Sequence, residues 1–248
     1  MSGRIHIGTS GWNYGGWAGI LYPEELKSKD FLSYYAQQFS TVEVNYSFYH
    51  LPRPTTYEKW VRQTPAGFVF ALKLSRFITH VKRLQGVKQA LRTFVKNAES
   101  LDDKCGPILF QLPPSFSLTA ENKKRLRDIL ESATKQGVRS AVELRHQTWF
   151  VDDVYELLQR VNTSLVIANS SRYPNPPEYI ATTNFVYFRF HGPKELFASS
   201  YTKAQLEHYA DIMKTYLRAD KDVYAYFNND FGGHAVRNAR TLKGLVSA

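Results

Sequence analysis

Apolar residues recur with two different spacings along the chain, and segments of the two kinds alternate. Short runs with strand-like alternation, such as residues 41–45 (TVEVN) and 185–191 (FVYFRFH), are followed by stretches in which apolar residues return every three or four positions. The clearest helical stretch carries its apolar face on Val87, Ala90, Leu91, Phe94, Val95, Ala98 and Leu101. Strands that alternate with helices predict a parallel sheet.

Eight segments fit the strand pattern, and their number sets the fold class. They are residues 4–8, 41–45, 68–74, 107–112, a short strand within 138–149, 164–169, 185–191 and 222–228. Eight repeats in 248 residues favour a single-domain (β/α)8 TIM barrel over residues 1–248, with a doubly wound sheet as the alternative. Residues 170–183 are rich in proline and polar residues, so we predict an irregular connection between the sixth and seventh strands. Thr119 is a predicted helix N-cap, and Thr202 with Gln205 resembles a capping box.

The fifth strand, within residues 138–149 (VRSAVELRHQTW), indicates which side chains face the barrel interior. Because side chains alternate faces in a strand, Glu143 and Arg145 share one side and Val142 and Leu144 the other. If the bulkier apolar residues of every strand face the helices, the inward polar positions are Glu43, Asn45, Lys73, Gln111, Glu143, Arg145, Arg189, His191 and Asn228. Asn169 is compatible with this set but less determined, because both faces of its strand are apolar.

These polar positions fall at the carboxyl ends of their strands. In a barrel those ends meet at one rim, where the active sites of this fold lie, so we expect a polar pocket there. The alternative is a hydrogen-bonded network that fills the top of the barrel for structural reasons only.

The residue types in the set suggest acid–base chemistry on a small anionic, phosphorylated or carboxylated, compound. Glu43 or Glu143 would act as the general base and His191 as the acid or electrophile, although Glu143 and Arg145 equally fit a plain ion pair. The anion would be held by Lys73, Arg145 and Arg189, and the substrate oriented by Asn45, Gln111, Asn228 and Asn169. Trp12 and Tyr49, in the loops after the first two strands, either stack on a planar ring or cap the core.

A divalent metal is a less favoured alternative for the same rim. Glu43, Glu143 and His191 together offer oxygen and nitrogen ligands. The chain lacks a compact ligand motif such as H-E-x-x-H. The cofactor therefore stays open.

The charge balance points to an anionic partner. Lys and Arg number 32 against 22 Asp and Glu, a formal net charge of +10. A nucleic-acid-binding or nucleic-acid-processing barrel that uses a basic exterior and aromatic loops is the alternative function. Many of these charges, such as Lys123, Lys124 and Arg125, also fit ordinary solvated helix faces.

Apolar runs and the cysteine content indicate the cellular compartment. No run of about 18 apolar residues occurs, so we expect no membrane span, and no signal peptide is recognisable. The single cysteine, Cys105, fits a reducing cytoplasm and is expected to be a small buried side chain. The sequence does not set the oligomeric state.

Several of these motifs together resemble a known family, domain of unknown function 72 (DUF72, YecE-like). They are residues 7–12 (IGTSGW), 41–45 (TVEVN) with Phe48 and Tyr49, 106–114 (GPILFQLPP), 143–146 (ELRH), 189–192 (RFHG) and 226–229 (YFNN). The resemblance extends from Ile7 to about Ala239 and implies a TIM barrel with a polar pocket at the strand ends, but no particular reaction. We expect many members to carry Asp where this chain has Asn169, and a role that needs a carboxylate there would then not apply.

Overall fold

The computed structural model describes residues 3–247, and eight parallel strands form the centre of this part of the chain. They are β1 (Ile5–Thr9), β2 (Thr41–Val44), β3 (Val69–Lys73), β4 (Cys105–Gln111), β5 (Ser140–Glu143), β6 (Thr163–Asn169), β7 (Phe185–Phe190) and β8 (Asp222–Phe227). Their order is β1-β8-β7-β6-β5-β4-β3-β2, so β1 pairs with β8 and all other neighbours follow the sequence. This topology confirms the predicted (β/α)8 TIM barrel and excludes the doubly wound sheet.

Helices surround the strands in the same alternation. They are α1 (Phe31–Gln38), α2 (Tyr46–Tyr49), α3 (Pro54–Arg62), α4 (Lys88–Ala98), α5 (Ala120–Thr134), α6 (Asp152–Arg160), α7 (Lys203–Arg218) and α8 (His234–Ser247). Residues 170–184, between β6 and β7, contain neither helix nor strand, which confirms the predicted irregular connection. Thr119 caps α5 by accepting from the Asn122 N–H, and Thr202 and Gln205 form the predicted capping box of α7. None of the helices in residues 3–247 is long and apolar enough to cross a membrane.

The strands separate two cores, as the alternation of side chains predicts. Val42, Phe70, Phe110, Val142 and Phe188 belong to the larger core between the sheet and the helices. The smaller core fills the barrel and consists of Ala71, Leu109, Ala141, Val166, Ala168, Phe185, Tyr187, Tyr224 and Tyr226. The interior is therefore apolar and aromatic away from the carboxyl ends of the strands, which leaves the polar inward residues concentrated at those ends.

The barrel closes between β1 and β2 at a narrow seam. A single parallel bridge, Ser10 to Glu43, joins the two strands there. Gly8 makes the close approach feasible, because a Cβ at this position would lie only 2.3 Å from the Thr41 carbonyl oxygen. The buried Tyr35 hydroxyl completes the seam: it accepts from the Thr9 N–H at 3.0 Å and donates to the Thr41 carbonyl at 3.0 Å.

Cys105 corrects one expectation. It is exposed rather than buried. It is the first residue of β4, and the neighbouring structure covers only the six residues that follow it in that strand.

Replacing Tyr35 by Phe tests the seam. The change leaves the buried Thr9 N–H and Thr41 carbonyl without this partner, which we expect to lower the free energy of unfolding by about 1–3 kcal/mol. The matched control is Tyr57→Phe, because the Tyr57 hydroxyl is buried with no hydrogen-bond partner among residues 3–247 and its loss should cost nothing. Urea denaturation of both variants measures the difference, and equal stabilities would contradict this account of the seam.

Candidate functional site at the carboxyl ends of the strands

Arg189 lies at the centre of the barrel mouth and joins two carboxylates from opposite sides. Its side chain has no exposed surface. Nε and Nη2 donate to the two oxygens of Glu43 on β2, at 2.9 and 2.6 Å, and Nη1 donates to Glu143 on β5. The bond to Glu43 is a bidentate, charge-assisted pair, the strongest arrangement open to an arginine and a carboxylate. Three strands are therefore tied together by one guanidinium.

Glu43 is fully buried, and every hydrogen bond around it favours its charged form. Besides Arg189, Ser10 Oγ donates to Oε1 at 2.7 Å and the Tyr187 hydroxyl donates to Oε2 at 2.7 Å. Burial raises the pKa of Glu43, but Arg189 and the hydrogen bonds outweigh burial, so the pKa lies below its ordinary value. Glu43 is therefore an ionised anchor.

Glu143 has a similar environment, with donors from three strands. Oε1 accepts from Arg145 Nε at 2.6 Å, and Oε2 accepts from Gln111 Nε2 at 3.1 Å as well as from Arg189. Burial raises the pKa of Glu143, but the charges of Arg145 and Arg189 hold it well below its ordinary value. This carboxylate is ionised at neutral pH.

His191 is buried between Glu143, Arg189 and Asn228. Its Nε2 lies 3.3 Å from Glu143 Oε1 and 3.3 Å from Arg189 Nη1, and its Nδ1 lies 3.1 Å from the Asn228 amide nitrogen. The guanidinium and the amide nitrogen can only donate, so each ring nitrogen faces a donor and Nε2 faces the carboxylate as well. Burial lowers the pKa of His191 to about 4 in spite of Glu143. The imidazole is thus uncharged at neutral pH.

Arg145 and Lys73 have donors that the network does not use. Only Nε of Arg145 forms a hydrogen bond within residues 3–247, and its guanidinium lies 4.2 Å from the centre of the Tyr173 ring. Lys73 Nζ lies 4.1 Å above the Phe48 ring and makes no hydrogen bond or ion pair with any described residue. Burial and the charge of Arg189 lower the pKa of Lys73 to about 7.

Two cavities open beside this cluster, above β1, β2 and β8. One, of about 370 Å³, is lined by Trp12, Asn45 and Trp60 among others; the Trp12 and Trp60 rings meet edge to face at 5.3 Å. The other, of about 660 Å³, includes Asp230 in its wall, and both share Tyr14. Asn45 Nδ2 and the Tyr14 hydroxyl both donate to the Ser10 carbonyl, so the cavities connect through Ser10 to the buried network.

The sequence analysis missed three members of this site: Ser10, Tyr187 and Asp230. Tyr187 lies two residues before Arg189 on one strand, so strict alternation could have found it. Ser10 and Asp230 lie beyond strand ends, where alternation gives no signal. Burial raises the pKa of Asp230 to about 7, and its Oδ1 is buried without a hydrogen-bond partner among residues 3–247.

Two expected site residues lie apart from the cluster. Asn169 faces outward, because Val166 and Ala168 occupy the inward-facing positions of β6. Its Oδ1 accepts a hydrogen bond from the Tyr201 hydroxyl at 2.7 Å. Tyr49 ends α2 and is 69% exposed, with its ring against Phe48. The other ten residues expected at the site lie in the buried network or line the rim.

The residues present do not fit a metal at this position. Arg189 occupies the space between Glu43 and Glu143 that a cation would need, and it already satisfies both carboxylates. Within residues 3–247, no group of three or more His, Cys, Asp or Glu side chains has an arrangement suited to a metal ion.

Comparison with known proteins agrees with this architecture. The family model described as "Protein of unknown function DUF72" matches residues 6–248. The chain belongs to the DUF72 family. The crystal structure of a DUF72 family protein from Thermotoga maritima is 30% identical, covers 99% of this chain and 100% of its own, and superimposes with a TM-score of 0.90.

Two curated proteins are also similar to this chain in sequence. The UPF0759 protein YunF of Bacillus subtilis is 26% identical over 98% of this chain and 94% of its own. The UPF0759 protein YecE of Escherichia coli is 29% identical over 59% of this chain and 50% of its own. Neither name gives a reaction.

Replacing Arg189 by Met tests the buried network. Without the guanidinium the buried Glu43 loses its ion-pair partner and Glu143 keeps only Arg145, and we expect the free energy of unfolding to fall by about 3–5 kcal/mol at pH 7. The exposed Arg160, which pairs with Glu156, is the control: Arg160→Met should change stability by less than about 1 kcal/mol.

The loss of stability in Arg189→Met should depend on pH, and the direction of this dependence follows from the pKa shifts of the carboxyl groups. In the wild type the lowered pKa values of Glu43 and Glu143 stabilise the fold above the ordinary carboxyl pKa of about 4.3, and this is lost as the pH falls. In Arg189→Met the pKa of Glu43, which is then buried without an ion pair, should instead rise above its ordinary value. Protonation of Glu43 then removes the cost of the buried charge, so the stability deficit of the variant shrinks as the pH falls. Urea denaturation from pH 7 to roughly pH 4.5 measures this, and a constant deficit would contradict it.

Proposed function

We propose that this DUF72 barrel is an enzyme that binds a small phosphorylated or carboxylated compound at the barrel mouth and moves a proton on it. The proposal rests on an excess of positive charge at the barrel mouth, together with N–H groups of Lys73 and Arg145 that form no hydrogen bond with the described residues. Lys73, Arg145 and Arg189 contribute three positive charges and Glu43 and Glu143 two negative ones, which leaves +1 when Lys73 is protonated. An anion at the rim would balance this charge.

The unused donors support a division of roles. All three guanidinium nitrogens of Arg189 already donate to Glu43 or Glu143. In this proposal these three residues therefore have a structural role. The terminal nitrogens of Arg145 and the Nζ of Lys73 bind the anion, since neither has a partner among the described residues. Asn45, Gln111 and Asn228, the expected orienting residues, lie around the same opening.

Proton transfer requires a group whose pKa lies near the working pH. The lowered pKa values of Glu43 and Glu143 make them weak bases, and neutral His191, with a pKa of about 4, is not an acid at neutral pH. Asp230, with a pKa of about 7 and an unpartnered buried oxygen on a cavity wall, is better suited. We therefore assign it the acid–base role in this proposal. A cytoplasmic location, favoured by the single cysteine, is part of the same proposal.

Binding of a single-stranded nucleic acid across the mouth is the second candidate, and the exposed aromatic residues favour it. Among residues 3–247 six large aromatic side chains are exposed, and five of them lie on segments just after the carboxyl ends of strands: Tyr46, Tyr49, Phe77, Phe197 and Phe231. The sixth, Tyr179, lies against Tyr209 and accepts a hydrogen bond from Tyr216 near the end of α7. Bases stack on such rings, and the net charge of +10 would attract the backbone.

Thermal stabilisation by anions tests the first candidate. We expect inorganic phosphate or small dicarboxylates to raise the melting temperature of the wild type by mass action. Arg145→Gln should lose most of this rise, because it removes the free guanidinium nitrogens. The control is Arg139→Gln, an arginine that bonds Tyr224 and Asp222 at the amino ends of the strands, which should keep the rise. If none of the anions stabilises the wild type, or if Arg145→Gln responds as the wild type does, the anion site is wrong.

The second candidate predicts retention on a single-stranded oligonucleotide that weakens steeply with salt. Replacing both Tyr49 and Phe231 by Ser should lower affinity by about 1–3 kcal/mol for each base that stacks. Fluorescence anisotropy at several salt concentrations measures both effects. A shallow salt slope, or affinity unchanged in the double variant, would remove this candidate.

A further inference from the structure

The chain buries two lysines, and their surroundings differ. Lys104 is 7% exposed, and its Nζ donates to the Val61 carbonyl at 2.8 Å, the Thr64 carbonyl at 2.7 Å and Thr64 Oγ1 at 3.1 Å. All three ammonium hydrogens are thus satisfied, which stabilises the charged form. Lys73 is 8% exposed, yet its Nζ has no acceptor among residues 3–247.

The nitrogen of Lys73 is also not completely enclosed. It is not among the fully enclosed polar atoms that lack a partner, so the small exposed part of the residue includes Nζ. The Phe48 ring covers one side of it at 4.1 Å, and the carbonyl of Lys73 itself is fixed by Ser47 Oγ at 2.7 Å. The backbone of Lys73 is therefore fixed at the end of β3, and its amine lies against the Phe48 ring without a hydrogen bond to any residue of the described part of the chain.

We propose that Lys73 is a covalent site, which forms an imine with the carbonyl carbon of a small 2-oxo acid whose carboxylate binds the free nitrogens of Arg145. This inference rests on the proposed function, because it uses the same rim and the same anion-binding arginine, and it specifies the substrate class. An amine, and a guanidinium with unused donors whose charge acts on that amine, match the two ends of such a compound.

The step balances without any further reactant. The free amine of Lys73 attacks the carbonyl carbon, a C–N bond forms, and the resulting carbinolamine loses its hydroxyl. The two hydrogens of the amine leave with the carbonyl oxygen as one water molecule, and no atom is oxidised or reduced. The imine can take up one proton, and its positive charge then draws electrons from the neighbouring carbon.

Electrostatics favour the free amine at this position. Burial acts most strongly, Arg189 and Arg145 repel the ammonium, and Glu43 and Glu143 only partly offset them, which lowers the pKa of Lys73 to about 7. His80, on the loop after β3, has a pKa of about 4 and stays neutral, while Asp230 titrates in the same range as Lys73. At pH 7 the fraction of Lys73 present as free amine is roughly a thousandfold higher than for a lysine with the ordinary pKa of about 10.4.

Reductive trapping on the intact protein tests this. The wild type is incubated with glyoxylate and sodium cyanoborohydride at pH 7, digested, and mapped by mass spectrometry for carboxymethyl-lysine. We expect Lys73 to carry the label well before any other lysine, and the buried, fully bonded Lys104 to stay unlabelled. Labelling spread over surface lysines with no enrichment at Lys73 would overturn the inference.

Two comparisons separate the carbonyl chemistry from anion binding. Acetaldehyde lacks the carboxylate, so Arg145→Gln should slow labelling of Lys73 by glyoxylate much more than labelling by acetaldehyde, which senses only the loss of the Arg145 charge. Lys73→Arg keeps a positive charge but cannot form an imine, and its stabilisation by phosphate is measured in parallel. If phosphate stabilises the wild type but Lys73 is not trapped, the imine is wrong and the anion site stands. If phosphate and dicarboxylates stabilise nothing, the proposed function itself fails.

Discussion

The salt bridge between Arg189 and two carboxylates is the constraint on which the rest of the site depends. Moving one charged group into a barrel interior costs several kcal/mol unless nearby charges and hydrogen bonds compensate. Here Glu43 comes from β2, Glu143 from β5 and Arg189 from β7, so compensation requires all three strands to keep their register. A shift of one residue on any of them would turn its charge toward the apolar outer core.

The same network connects barrel closure to the site. Ser10 provides the only bridge between β1 and β2 in the described part of the chain, and its hydroxyl donates to Glu43. Its carbonyl accepts from Asn45 and Tyr14, which line the cavities at the rim. Ser10 therefore takes part both in the closure of the fold and in the shape of the mouth, and Gly8 allows the two strands to come close enough.

The network also determines which polar groups remain for chemistry. The donors around Glu43 and Glu143 keep both carboxylates ionised, and burial keeps His191 neutral, so the innermost layer resembles a structural network. The polar groups of the next layer lack hydrogen-bond partners. Among residues 3–247, Lys73 Nζ has no acceptor and the enclosed Asp230 Oδ1 has no donor. Burial without a partner is unfavourable for a charged group. It therefore lowers the pKa of a lysine and raises that of a carboxyl group, and a pKa near 7 is useful in catalysis.

By itself the sequence determined the fold class and the phase of the strands. Alternating apolar residues fix which face of a strand is buried, and eight repeats of strand and helix leave few other topologies, so Glu43, Lys73, Glu143 and Arg189 could be placed inward at one rim. Only the tertiary structure decided which of them have their charges satisfied. Arg189 and Lys73 carry the same sign at equivalent strand ends, yet one meets two carboxylates and the other none, because partners come from strands far apart in sequence. Asn169 faces away from the expected side and Asp230 was not predicted at all, for a related reason: the direction of a side chain at a strand end, or beyond it, depends on neighbouring packing, which local alternation does not encode.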